Sequence, residues 1–386
     1  MARVAQHPAR QDSLLELAKS FAARAADYDR DSSPPVQSLA EAGEAGLFAL
    51  TAPREFGGAG AGLEETVEVA RTLGAGDPAT TLILAMTWLQ HALAGRDQRW
   101  PAAVYRRVVA DAVHGRGLIN VLGVEPELGT PQRGGLPQTV ARRTADGWRI
   151  SGRKIYSTGA TVLQWCVVVA RTDDEEPRMG HFLVPAAAEG VRIEETWDHL
   201  GMRATCSHDL IFDDTAIPPS FALDVRAPQE WRNKSTVHMA WMGLVISAVY
   251  LGVADAARDW LVAFLKSRVP TNLGKPLATL ERMQLAVGEI EALLRSSAIL
   301  LSATARKADL TGDSLDPNEP GIVKHVVTEN AIRAVATAVS LTGNPALSRT
   351  NRLERHWRDV LCARVHWPQG DSVLKSAASA AFAMQP

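Results

Sequence analysis

The sequence predicts an α+β protein in which an antiparallel β-domain, residues 117–228, is inserted between an N-terminal helical domain, 1–116, and a C-terminal helical bundle, 229–386. Three observations predict it. Apolar residues recur at intervals of three and four as far as about Arg116, and short β-branched runs broken by turn residues then fill Gly117 to about Pro218. Beyond the AIPPS break the helical period returns.

In the first region Leu14, Leu17 and Phe21, and later Leu82, Leu84, Leu89 and Leu93, keep helical spacing. The turn residues from Asp31 to Pro35 and the stretch TAPREFGGAGAG separate the helices. The second of these carries Gly57, Gly58, Gly60 and Gly62 and superficially matches a dinucleotide loop. No strand precedes it, and Glu64 and Glu65 would repel a phosphate at the helix start, so it reads as a tight turn into a helix. In the middle region TVARRTADGWRISG, QWCVVVART, GHFLVP and HDLIFDDTAIP read as strands. In the last region Met283, Val287, Ile290, Leu294, Ala298 and Leu301 share one helix face. TGDSLDPNEPG is a loop before a helix from Ile322 to about Leu341, and a final helix begins near Leu374.

A chain of 386 residues with 46% hydrophobic and 22% charged residues is neither disordered nor fibrous, and it is too long for one core. Forty-one basic against forty-three acidic residues give a formal charge of -2, which argues against nucleic acid as a partner. Cys166, Cys206 and Cys362 are far apart, so neither a disulfide frame nor a zinc site is expected, and no two histidines have metal-ligand spacing. The first thirty residues carry charges throughout, and no run reads as long enough to span a bilayer; a cytoplasmic protein without a membrane partner is expected. No G-K-[ST] phosphate loop occurs.

Four segments, in order and spacing, are specific in combination. PREFGGAG, VEPELGT (Val124 to Thr130), DGWRISGRKIYSTGA and LGMRATCSHDLIFDDTAIP resemble, respectively, the N-terminal turn, the T-E-P-x-A-G-S loop, the strand and loop along the flavin, and the hinge into the C-terminal bundle of the acyl-CoA dehydrogenase superfamily of flavoproteins. The resemblance covers essentially the whole chain. It implies a middle β-barrel-like domain, a C-terminal four-helix domain, flavin between the two, and a homotetramer whose neighbouring subunits complete each flavin site. It also implies that Thr158 bonds the flavin near N5, that Tyr156 stacks beside the ring, and that Ser157 belongs to the same loop. Thr130 with the backbone from Glu125 to Gly129 would bond the pyrimidine edge and phosphate. SRVPTNLGKPL resembles the segment whose arginine reaches the pyrophosphate across the subunit boundary, which makes Arg268 a phosphate clamp. On the residues alone, Ser157 and Thr158 also read as turn residues and Arg268 as a solvated helix-end arginine.

A dehydrogenase of this kind needs a carboxylate of raised pKa beside the substrate. Counting from Arg358-Asp359 and from Leu251-Gly252, the two positions that resemble the family's base are Trp367 and Met242; Asp371 lies a few residues later. GNPALSRTNRLERHWRDVLCARVH instead resembles the flavin monooxygenase branch, as in dibenzothiophene monooxygenase and the 4-hydroxyphenylacetate-hydroxylase-like oxygenases. By that resemblance His366 is an acid/base over the flavin, and His91 a second active-site histidine. On the residues alone each also reads as an ordinary packed or surface histidine. SLTGNPA lacks the Gln and one Gly of the dehydrogenases' dinucleotide segment, and the chain has no NAD(P)H fingerprint. The expectation is therefore a two-component monooxygenase taking reduced FMN or FAD from a separate reductase, with O2 and a small organic molecule as substrates. An acyl-CoA dehydrogenase with a displaced base, and a non-catalytic flavin-fold subunit, are the alternatives.

Overall fold

A computed structural model describes residues 11–127, 135–231 and 235–383. The first helices are α1 (Gln11–Asp31), α2 (Val36–Glu44), α3 (Leu63–Gly76), α4 (Pro78–Asp97) and α5 (Ala102–Val113). α4 begins where Asp77, ahead of Pro78, accepts hydrogen bonds from the N–H groups of Ala79 and Thr80. It is apolar all round, with Leu82, Ile83, Leu84, Trp88 and Leu89 buried, so it runs through the interior instead of over the surface. The glycine-rich stretch before α3 is the tight turn expected, with Gly57 and Gly60 at φ +92° and +64°. The N–H groups of Leu63 and Glu64 at the helix start are satisfied by the carboxylate of Asp309, at 2.9 Å each. A protein carboxylate thus takes the place a dinucleotide loop would give to phosphate.

The middle strands are β1 (Ile119–Leu122), β2 (Val140–Thr144), β3 (Gly147–Lys154), β4 (Trp165–Thr172), β5 (Met179–Pro185), β6 (Val191–Glu194), β7 (Asp209–Ile217) and β8 (Ala222–Arg226). They form one sheet in the order β6-β7-β3-β2-β4-β5-β8, with β1 also on β4. The sheet is mostly antiparallel, as expected, and within it β1 and β2 both pair with β4 in parallel. β4 is buried on both faces from Trp165 to Ala170, and its WCVVVA run has the continuous apolar character of a central strand.

The remaining helices are α6 (Thr236–Ser267), α7 (Glu281–Thr311), α8 (Glu319–Thr342), α9 (Arg352–Leu361) and α10 (Gly370–Ala383). α6, α7, α8 and the shorter α9 pack as the bundle, and α10 lies against α8. Met283, Ile290, Leu294 and Leu301 form the buried stripe of α7, as their spacing predicts. By length and composition α6 would cross a membrane, which corrects the expectation that no such run exists; its apolar window is 83% buried inside the fold because α3, α4, α7, α8 and α9 surround it. The α3–α6 crossing is close: a Cβ on Gly252 would lie 2.3 Å from the carbonyl oxygen of Arg71, and one on Gly74 would lie 2.6 Å from that of Val249. Arg71 and Asp255 close the same junction with an ion pair of 2.6 Å.

Candidate active site

Two groups of side chains carry most of the predicted site. The first is the loop that follows β3. Tyr156 adopts the left-handed backbone conformation at φ +56°, rare for a bulky residue, and its side chain is 55% exposed. Ser157 and Thr158 turn inward and are buried. The loop is held from both sides: Ser157 N–H donates to His208 O, Gly159 N–H to Thr205 O, and the Asn120 side-chain amide on β1 to Thr158 O. Thr158 Oγ1 accepts a bond of 3.3 Å from Ser207 Oγ, which leaves its own proton free to donate. Ser157 Oγ is buried without a partner among the described residues. Orphaned buried hydroxyls are uncommon, and this one has its hydrogen-bonding capacity unused.

Trp197 and His199 stand beside Tyr156 and are not visible as site residues in the sequence. Their rings stack at 3.6 Å and 10°, with Tyr156 edge-on to both. Burial lowers the pKa of His199. The alternation of the loop 195–208 gives no periodic signal, so only the fold reveals the aromatic group.

Glu125 lies behind this loop, where Ile155 N–H donates to Val124 O. Its buried carboxylate accepts from Gln138 N–H, Thr139 N–H, Thr139 Oγ1 and Lys154 Nζ, the last at 2.6 Å. These four donors hold it ionised, below the usual carboxylate range despite burial. Its side chain is therefore fully engaged in fastening the chain before residue 128 to the chain after 134, and any contact with a ligand falls to its backbone. Gly129 and Thr130 lie outside the described residues.

The second group surrounds His366, in the loop after α9. Its Nε2 is 2.7 Å from the hydroxyl of Tyr250 on α6. Burial and the nearby Lys324 on α8 lower the pKa of His366 to about 4. Lys324 is itself buried, donates to Ala363 O at 3.1 Å, and burial lowers its pKa to about 8. At neutral pH His366 is therefore an uncharged imidazole. Neither Tyr250 nor Lys324 stands out in the sequence, because each sits in an otherwise ordinary helical pattern.

His91 stands apart on α4. It is fully buried, both ring nitrogens lack partners among the described residues, and burial lowers its pKa to about 4. Arg268 caps the end of α6, exposed. Among the described residues no hydrogen bond, ion pair or ring contact joins Arg268, His91 or His366 to the Thr158 loop.

At the positions where the resemblance would put a catalytic carboxylate, Trp367 and Met242 are partly buried and neither titrates as a base. Asp371 is exposed in the first turn of α10, where its Oδ1 accepts from Ser372 N–H. Two buried carboxyls do have raised pKa values through burial, Asp77 at the start of α4 and, at about 7, Asp359. Asp359 accepts from Met202 N–H at 2.6 Å and faces Arg355, so it docks the β-domain onto α9.

The helical–β–helical fold is that of a family of flavin oxidoreductases. The chain belongs to the acyl-CoA dehydrogenase family. Its N-terminal, middle and C-terminal domain profiles match residues 6–95, 123–215 and 244–368. A Bacillus subtilis (strain 168) protein, YdbM, provisionally named an acyl-CoA dehydrogenase, is 31% identical over 96% of both chains. Solved structures with the same fold include butyryl-CoA dehydrogenase from Megasphaera elsdenii (TM-score 0.85, 20% identity, 96% of this chain and 98% of that one). TdsC from Paenibacillus sp. A11-2 with FMN and indole (0.84, 21%, 97% of each) and a nitrososynthase from Micromonospora carbonacea var. africana (0.82, 23%, 100% of each) share it too.

Proposed function

We propose that this chain is the oxygenase of a two-component flavin-dependent monooxygenase, acting on a small organic molecule. The observation that carries the reading is at the loop after α9: the two positions that resemble the family's base hold Trp367 and Met242, and the titratable group there is His366, bonded to Tyr250. Bound reduced flavin, FMN or FAD, would supply the electrons and activate O2. Thr158 Oγ1 offers a donor toward the ring, Ser157 Oγ a second polar contact, and Tyr156 with Trp197 an aromatic wall. A neutral His366 holds a proton at one ring nitrogen for hydrogen bonding to reacting oxygen atoms. TdsC, seen with FMN and indole, and the nitrososynthase support a flavin chemistry on molecules other than acyl thioesters.

On this reading a separate reductase delivers the flavin, and a second copy of the chain, within a homotetramer, brings Arg268 to the cofactor phosphate. The similarity to YdbM favours a second reading, an acyl-CoA dehydrogenase. It needs a carboxylate beside the substrate, and Asp371 faces outward at a helix start. His366→Ala should abolish oxygenated product while reduced-flavin binding, followed by fluorescence quenching, changes less than about threefold. Unchanged turnover in that variant, together with acyl-CoA oxidation by an artificial electron acceptor, would remove the oxygenase reading.

A further inference from the structure

The hydrogen bonding around His366 determines more than its presence near the site. Tyr250 is fully buried, and its hydroxyl has one partner among the described residues, His366 Nε2. Were Nε2 the donor, the Tyr250 proton would be left buried and unpaired, which costs roughly 1–3 kcal/mol in general. Tyr250 therefore donates, Nε2 accepts, and the single proton of a neutral imidazole sits on Nδ1. Nδ1 has no bond among the described residues, and unlike the ring nitrogens of His91 it is not sealed from solvent. It is the free end of the pair.

The titratable groups on the elements packed around this ring lie on α8 and α9. Lys324 approaches from α8, fastened to Ala363 O. Glu329, one turn further along α8, is neutralised by two bonds to Arg364, and His325 sits where the chain passes Gly370. On α9 Asp359 is occupied by Met202 N–H. The group left to bear on His366 is the Lys324 ammonium, which opposes a second proton on the ring.

We propose that Tyr250 and Lys324 are positioning residues that lock His366 as the uncharged Nδ1–H tautomer, giving the site one fixed hydrogen-bond donor on an imidazole that carries no charge. Such a ring recognises a ligand through an acceptor oxygen or nitrogen and itself adds no charge to the attraction of a carboxylate or phosphate. The catalytic meaning of this lock rests on the oxygenase reading; the lock itself does not.

The test uses the full chain without flavin: the pH dependence of deuterium exchange at C2 of His366, read by peptide mass spectrometry. The wild type should show its midpoint near 4 and no inflection between pH 5 and 8. Lys324→Met and the isosteric Tyr250→Phe should each move the midpoint up by roughly one unit or more, since one loses the opposing charge and the other the donor to Nε2. A wild-type midpoint near the ordinary 6.5, or midpoints that stay put in both variants, overturns the proposal. Should Lys324→Met fail to fold by circular dichroism, the wild type and Tyr250→Phe decide. If the lock holds and His366→Ala still forms product, the oxygenase reading fails and the tautomer stands; if the lock fails and product formation still needs His366, the reverse holds.

Discussion

At the scale of single residues, Glu125 and Lys154 carry the most consequence for the site. Both are buried, 2.6 Å apart, and Lys154 also donates to Val169 O on β4. The pair fastens Glu125 to the end of β3, just where the loop of Tyr156, Ser157 and Thr158 departs. Breaking a buried pair from one side leaves an uncompensated charge, so Lys154→Met should cost about 3–5 kcal/mol in urea unfolding. A loss under about 1 kcal/mol would show that the pair does not fasten the domain. The sign of the pH effect follows from Glu125, whose folded pKa is depressed: its contribution is complete above the unfolded value near 4.5 and is lost as pH falls through the folded one.

At the scale of elements, helix α9 and the α3–α6 crossing set the geometry. Arg358 on α9 bonds Asp29 on α1, Glu354 one turn back, and Leu200 O in the loop before β7, while Asp359 takes Met202 N–H. One turn of α9 thus joins the N-terminal helices, the β-domain and the bundle, and it aims the following loop, which carries His366. The α3–α6 crossing depends on two residues without side chains. Gly252→Ala must push Arg71 O away from 2.3 Å, and the expected cost is about 1–3 kcal/mol in chemical denaturation. A variant as stable as the wild type would mean that the helices separate freely.

At the scale of the whole molecule, three buried or partly buried histidines bear on acid stability. Burial lowers His91 to about 4, His356 to about 3 and His366, with Lys324, to about 4, against an ordinary 6.5. Each must gain a proton on unfolding between 6.5 and its folded value, so each contributes stability that is present at pH 7 and lost on acidification. Asp359, raised to about 7, pulls the other way. The difference between wild type and His91→Leu isolates one histidine: the variant should gain on the wild type by about 1.4 kcal/mol per pH unit as pH falls from 6 to 5. Parallel urea midpoints across that range would show that His91 does not remain neutral in the fold.

The fold was legible because its signals are periodic. The α7 stripe, the β-branched runs and the glycine-rich turn before α3 each lie within a few neighbouring residues, where local pattern alone reports them. The parallel placement of β1 and β2 beside β4 was not legible, since strand order leaves no trace in alternation. Nor was the second half of the site. Tyr250 and His366 are 116 positions apart, and a lysine at 324 reads as a solvated charge until α6 and the loop after α9 enclose it. Thr158, Tyr156 and His366 stand out through motifs, and Trp197, His199, Tyr250 and Lys324 only through packing.

The most direct test of the oxygenase account is rapid mixing of the protein, held anaerobically with reduced FMN or FAD, against oxygenated buffer while the flavin spectrum is followed. The account predicts a protein-dependent spectral phase that precedes oxidised flavin and is altered by His366→Ala. Reoxidation identical to that of free flavin in the same buffer would contradict it.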